Sequence, residues 1–287
     1  MLRLRTIDTP SWQKPDPWRH RGERRGLSAA ILVLLGGLLA PVQLQYRAAQ
    51  LQCARFHEVI AGKVQTETSG RRRVETLGRD GIWTLRATEA GEEIALEGWY
   101  DSLSVWRAAA DGKLTGDTDG LIGGRYRVRM TPSGIMTIVS RPFIPDELRE
   151  VADLSGALED LLPPVPPRGL ESGETWSDSS GLEIRRLADS VGPGGPIVRL
   201  QVHDRYVTVK APLEGDTGSV EMRQTTEETG RIDWAPGVGL LRWRRDIVVA
   251  TAIPPGGPIR QPVRSRLEQH IRITRLKPGA APRARCP

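Results

Sequence analysis

Cysteine and histidine are scarce in this sequence, and their scarcity removes several classes of site. The 287 residues include two cysteines and four histidines, and no two histidines stand at the spacing of a zinc site. A Gly-x-Ser-x-Gly nucleophile motif is also absent. The sequence therefore predicts no catalytic motif and no cofactor, and it favours a protein that is not an enzyme.

A hydrolase with a scattered active site is an alternative that motifs do not address. It would need a serine or a carboxylate beside His203 or His270 inside a cleft. Both histidines stand in alternating, strand-like sequence, where a half-exposed ring is expected. No motif supplies the partner that such an active site requires.

Concentrated basic blocks are missing from most of the chain. The net charge is +6, but residues 1–26 hold seven Arg or Lys against three Asp or Glu and so contribute +4 of it. The remaining charges are interspersed in sign, whereas a nucleic-acid-binding face needs concentrated basic residues. The arginine triplet at residues 71–73 is typical of a solvated hairpin end. We therefore predict no nucleic-acid partner.

One long apolar run is present, at residues 27–42. Arg21, Arg24 and Arg25 precede it, as in the basic region of a secretory signal. A membrane helix needs roughly twenty apolar residues, so this shorter run favours a cleaved signal, with an uncleaved N-terminal anchor as the alternative. We predict a disordered basic extension at 1–26, a signal or anchor at 27–45 and an exported domain at 46–287, in the periplasm or cell envelope.

The two cysteines, Cys53 and Cys286, lie near opposite ends of that domain. An oxidising compartment would permit a disulfide between the first and last strands. Closing so long a loop contributes on the order of 4 to 5 kcal/mol through the unfolded state where the geometry allows it. The sequence itself does not establish that geometry.

From Phe56 onward, apolar residues recur mostly at every second position, which is typical of β-strands. Glycine-containing turns separate the alternating segments, and we assign residues 78–81, Gly-Arg-Asp-Gly, to a hairpin turn. Arg125, Arg127 and Arg129 alternate with apolar residues and are expected to face water. The first half of the domain spans about residues 54–144.

The periodicity becomes helical after Pro145. Leucines and a valine recur at helical spacing up to Leu162, and Asp146 and Glu147 suit the start of a helix. A proline-rich connector ends this predicted helix at about 145–162. Alternation resumes over a second half at about 168–276, with strands expected at 197–209, 220–226, 240–252 and 263–276.

This layout predicts a mainly β protein, an antiparallel curved sheet, half-barrel or sandwich in two similar halves with one central helix. The stretch beginning at residues 117–124, Asp-Thr-Asp-Gly-Leu-Ile-Gly-Gly, and reaching 173–176, Gly-Glu-Thr-Trp, resembles a family of exported bacterial proteins with a domain of unknown function. The resemblance implies an exported β-rich fold akin to the curved sheets of envelope lipid carriers. It implies no catalytic residues.

Two further groups of residues are candidates for binding. Trp99, Tyr100 and Trp106 could offer an aromatic surface to a ligand, whereas Trp83 and Trp243 are expected to fill the core. Asp117 and Asp119 resemble the start of a calcium loop, but the glutamate that would close such a loop is missing, so a turn is the favoured interpretation and no metal site is predicted.

The function that these features favour is non-enzymatic binding or carriage of a hydrophobic small molecule such as a lipid, in an apolar concavity of the sheet. A structural or protein-interaction subunit of the envelope, with filled sheets, is the main alternative. Membrane contact is expected through the N-terminal segment alone.

Overall fold

The computed structural model describes residues 42–210, 222–255 and 259–277. The chain divides into two units, residues 1–40 and 41–287, and every described residue belongs to the second. Most of the predicted signal or anchor, and Cys286, lie outside the described residues. Among the residues that are described, no helix is long and apolar enough to cross a membrane.

Within the described residues, thirteen strands form one open, curved sheet, which confirms the predicted mainly β, antiparallel fold. In the N-terminal half the strands are β1 Arg55–Thr68, β2 Arg71–Ala90, β3 Glu93–Ala109, β4 Gly112–Thr115, β5 Tyr126–Met130 and β6 Met136–Ser140. In the C-terminal half they are β7 Thr175–Ser177, β8 Glu183–Arg186, β9 Ser190–Gly192, β10 Gly195–Lys210, β11 Met222–Ala235, β12 Gly239–Ile253 and β13 Val263–Arg275. The helical elements are α1 Ala48–Leu51, a 3₁₀ turn Asp119–Leu121 and α2 Asp146–Val151.

The first and last strands pair in the middle of the sheet. The main strand order is β6-β5-β3-β2-β1-β13-β12-β11-β10-β8-β7, with β4 beside β3 and β9 beside β10. Strands β1 and β13 are in register from Phe56 opposite Arg275 to Thr68 opposite Val263. Both halves therefore share one continuous sheet, and the sandwich alternative is wrong.

The same pairing brings the chain near Cys53 close to the end of β13. Arg55 stands two residues after Cys53, and its carbonyl oxygen accepts a hydrogen bond from the amide of Leu276 at 2.8 Å. The second cysteine, Cys286, lies outside the described residues. The predicted cross-link between them stays a prediction.

The two faces of the sheet differ in what covers them. We call the face that carries Phe56, Glu58 and Ile60 the inner face, and the opposite one the outer face. Residues 42–54 and 141–170, which we call the plug, supply many of the buried side chains that make up the core with the inner face. The plug is tied together by the Tyr46 hydroxyl, which donates to the carbonyl oxygen of Pro163 at 2.8 Å. Leu44 is also part of this core.

The predicted helix at 145–162 is wrong in its length, because α2 ends at Val151. Ala152 is already extended, with φ of −151°. One oxygen of the Asp153 side chain then accepts the backbone N–H of Ser155 at 2.9 Å and its hydroxyl at 2.6 Å. Such local side-chain bonds stabilise a turn in place of a helix. The leucines beyond it are still buried, in successive turns of the plug.

The predicted hairpin turn at residues 78–81 is also wrong, because those residues lie inside the long strand β2. Neither Gly78 nor Gly81 has a positive φ. A Cβ at Gly78 would overlap the indole of Trp106, and one at Gly81 would lie 2.8 Å from Cε1 of Tyr100. These glycines therefore make room for aromatic rings of the neighbouring strand instead of turning the chain.

Candidate functional site

A buried cluster of polar side chains lies on the inner face beneath the plug. The Glu58 side chain is fully buried and accepts three hydrogen bonds. Its donors are Nη2 of Arg79 at 2.8 Å, the hydroxyl of Tyr100 at 3.1 Å and Nε1 of Trp83 at 3.3 Å. The carboxylate is thus satisfied by neighbouring strands, which is what a buried charge requires.

Burial and the Glu58 charge determine the titration of this cluster. Burial by itself lowers the pKa of Arg79, but the charge and hydrogen bond of Glu58, together with the nearby Tyr100 and Asp160, outweigh it, so the pKa rises above its ordinary value. Burial raises the pKa of the Tyr100 phenol and that of Tyr126. Both phenols therefore remain neutral hydrogen-bond donors. The three donors to Glu58 all come from the protein, whereas Nε of Arg79 is buried without a hydrogen-bond partner among the described residues.

The aromatic residues expected to bind a ligand do not form one surface. Tyr100 is fully buried, while Trp99, on the opposite face, is 8% exposed. The Arg125 guanidinium covers Trp99, 3.6 Å from the ring centroid, so this arginine does not simply face water as predicted. Trp106 lies against Gly78 with Lys113 at 5.1 Å. Trp83 and Trp243 are buried in the core, as predicted.

The two aspartates compared with a calcium loop lie at an exposed turn. Oδ1 of Asp117 accepts the backbone N–H of Asp119 at 3.1 Å, just before the 3₁₀ turn. This is the local bond of an aspartate turn. In the part of the chain that the structure describes, no three metal-ligating side chains come together.

Among the described residues, two histidines form pairs with a carboxylate, and both pairs lie on the protein surface. Nδ1 of His270 lies 2.5 Å from Oδ1 of Asp246, and these side chains are 73% and 66% exposed. Nε2 of His57 lies 3.0 Å from Oδ1 of Asp80. Neither pair is enclosed in the way that the hydrolase hypothesis requires, and nothing in this geometry favours hydrolysis.

Beyond the plug, the inner face carries a row of side chains that we call the open strip. Its members are directly opposite one another on five neighbouring strands. They are Val64, Leu267, Val249, Thr226 and Tyr206. All except Thr226 are partly exposed, and the buried hydroxyl of Thr226 has no hydrogen-bond partner in the part of the chain that the structure describes. At a strand spacing of about 4.8 Å, the strip is roughly 19 Å long.

Sequence reasoning missed Glu58 and the open strip for different reasons. Glu58 has the same inward parity as Phe56 and Ile60, so its position between two buried apolar residues was the available signal. The strip depends on where the plug ends along the strands, and nothing in the alternation of a single strand records that.

Comparisons with known proteins add little to this geometry. No protein-family model matches the chain, and no curated protein matches it. Among solved structures, a DUF1329 family protein from Desulfovibrio piger is similar at 10% sequence identity, with 81% of this chain and 89% of that chain covered and a TM-score of 0.17. The abbreviation DUF denotes a domain of unknown function. A likeness this distant says nothing about what the present chain binds.

Proposed function

We propose that this protein is a non-enzymatic, exported envelope protein that binds a hydrophobic ligand such as a lipid chain along the open strip. The observation that supports the proposal is that the inner face continues past the plug. Near Ile60 the face is buried, whereas Val64, Val249 and Leu267 remain partly exposed on three adjacent strands.

Apolar side chains in a continuous row are suited to an extended hydrocarbon. Val64 is opposite Leu267, and Leu267 is opposite Val249. Burying their exposed surface against a ligand releases about 25 cal/mol for each square ångström of apolar area. The row is roughly as long as an extended acyl chain, given about 4.8 Å between strands.

Thr226 gives the strip a polar group with an unmet hydrogen bond. Its hydroxyl is buried and has no partner among the described residues. Buried polar groups are normally hydrogen-bonded. A ligand with an ester or carboxyl oxygen near the middle of the strip would satisfy this group, which favours a lipid over a plain hydrocarbon.

The first experiment is native mass spectrometry of the full chain purified from its bacterial host, with lipid extraction of the same sample. We expect a co-purifying amphiphile with at least one long acyl chain. In parallel, binding of the uncharged probe N-phenyl-1-naphthylamine is measured by fluorescence.

Two adjacent valines of β12 provide matched variants. Val249→Glu places a charge in the open strip, whereas Val248→Glu places the same charge on the outer face of the same strand. We expect Val249→Glu to weaken probe binding about tenfold or more, because an unpaired charge in an apolar site costs more than about 1.4 kcal/mol. Equal effects of the two variants, or a sample free of amphiphile, would contradict the proposal. Crosslinking of a stable protein to Val249 would favour the envelope-subunit alternative.

A further inference from the structure

Four arginines form a row across the strands on the outer face. Arg272 of β13 is opposite Arg244 of β12, and Arg244 is opposite Arg231 of β11. The row continues through Gln201 of β10 to Arg185 of β8. We call Arg185, Arg231, Arg244 and Arg272 the arginine row. All four side chains are exposed, and at about 4.8 Å per strand the row is roughly 19 Å long.

The described part of the chain supplies no ion-pair partner for these four side chains. Two acidic residues of the same face are engaged elsewhere: Asp233 lies 3.7 Å from Arg242, and Asp246 contacts His270. Like charges directly opposite one another in a sheet are destabilising. The row therefore lowers the stability of the sheet, and an external anion would offset that cost.

We propose that the arginine row docks the protein on the surface of an anionic phospholipid bilayer. Guanidinium groups form paired hydrogen bonds with phosphate oxygens, and the four exposed side chains of the row are accessible to headgroups. A cavity of about 610 Å³ beside the row is lined by Val59 and Ala61 and by Arg244 and Arg272, together with the paired Asp246 and His270. Small apolar side chains next to arginines suit the boundary between headgroups and acyl chains.

A nucleic acid fits the row less well. Proteins that bind single strands combine basic grooves with exposed aromatic rings on which bases stack. Trp243, which adjoins Arg244 in sequence, is buried in the core. The partly exposed Trp106 of the outer face belongs to β3, three strands away from Arg272. A basic row with no tryptophan between its arginines favours phosphate headgroups. This inference concerns the outer face and does not depend on ligand binding by the open strip.

The test measures partition of the full chain into two kinds of vesicle, pure phosphatidylcholine and phosphatidylcholine with roughly one third phosphatidylglycerol, at low salt. The readout is the ratio of the two partition coefficients, because the apolar N-terminal run contributes to both. The variant is Arg231→Gln, Arg244→Gln and Arg272→Gln together. Each arginine near an anionic surface raises the partition coefficient about fivefold. Removing three of them should therefore lower the ratio of the two partition coefficients roughly 100-fold.

The matched control removes three arginines from the opposite end of the same face, as Arg223→Gln, Arg264→Gln and Arg266→Gln together. Two of these stand near acids, since Arg264 is opposite Glu67 and Nε of Arg266 lies 2.8 Å from Glu268. We expect the control to retain most of the wild-type ratio. The row variant should unfold at the same or a higher urea concentration than the wild type, since repulsion is removed.

Three results would overturn the proposal. The first is a row variant with an unchanged ratio, and the second is a control that loses as much as the row variant. The third is tight binding of a single-stranded oligonucleotide that the row variant abolishes and that displaces the protein from vesicles, because the partner would then be a nucleic acid.

Discussion

The two ends of the long strands have the same alternating sequence but different surroundings. At its start, β1 places Phe56, Glu58 and Ile60 in the core under the plug. Further along the same strand and the same face, Val64 and Thr66 are partly exposed. Strand β12 behaves alike, with Trp243 buried and Val249 partly exposed. The difference arises from the plug and not from the strands.

This difference shows that strand formation and core formation are separate properties here. Neighbouring strands satisfy the backbone of the uncovered ends through continuous pairing, down to Thr68 opposite Val263. The core lies at the covered end. Substitutions at the two ends therefore test whether the ends differ in burial as the structure has them.

The largest expected effect is at the buried carboxylate. Glu58→Ala leaves the Arg79 guanidinium buried without its partner, and we expect a loss of about 3 to 5 kcal/mol in the free energy of unfolding. The matched change at the uncovered end of the same strand, Glu67→Ala, removes an exposed carboxylate, and we expect a change within about 0.5 kcal/mol.

Urea unfolding followed by tryptophan fluorescence measures both variants. A loss below about 1 kcal/mol for Glu58→Ala would mean that the carboxylate and guanidinium are not desolvated as the structure has them. Equal losses for the two variants would show that the covered and uncovered ends do not differ in burial.

A smaller effect is expected at the glycines inside β2. Gly81→Ala places a Cβ 2.8 Å from the Tyr100 ring, and we expect a loss of about 1 to 3 kcal/mol from this crowding. Gly120→Ala is the control, because nothing lies within 4 Å of a Cβ there. Thermal unfolding compares the two. A neutral Gly81→Ala would indicate that residues 78–81 serve as a turn after all.

The smallest effect concerns the tyrosines of the covered end. Burial raises the pKa of Tyr46, Tyr100 and Tyr126 in the folded protein. A phenol whose folded pKa exceeds its unfolded pKa of about 10 stabilises the fold below that pH, and this stability falls as the pH rises above it. We therefore expect these phenols to ionise together with unfolding, as one cooperative rise in absorbance at alkaline pH.

Single replacements of tyrosines test whether this rise in absorbance comes from the covered end. Tyr126→Phe should reduce its amplitude and cost no more than about 1.5 kcal/mol, since it removes one hydrogen bond, to the carbonyl oxygen of Leu154. Tyr206→Phe, in the open strip, should leave the cooperative step unchanged. A gradual rise spread over several pH units before unfolding would contradict burial of the three phenols.

Much of the fold could be predicted because alternation is a local signal. The strands expected at 240–252 and 263–276 are observed as Gly239–Ile253 and Val263–Arg275. The helical spacing of leucines after Pro145 also indicated burial correctly, but not helix. There, one aspartate side chain that bonds to Ser155 outweighs a favourable apolar pattern.

The candidate sites could not be predicted, because they depend on which strands become neighbours. Arg231, Arg244 and Arg272 are well separated in sequence and meet only because β11, β12 and β13 are paired. Because basic and acidic residues are interspersed along the chain, the sequence did not indicate that arginines are concentrated on one face of the sheet. Gly78 and Gly81 were misassigned for a similar reason, since the rings that need their space belong to β3.

The pairing of β1 with β13 has a consequence for how the chain acquires its structure. The central ladder joins residues more than 190 positions apart, from Thr68 opposite Val263 to Phe56 opposite Arg275. A ribosome must therefore release nearly the whole polypeptide before the middle of the sheet can close. Contacts of such large sequence separation form slowly. The nascent chain thus stays open for a long interval, during which its half-built strand edges need protection from aggregation.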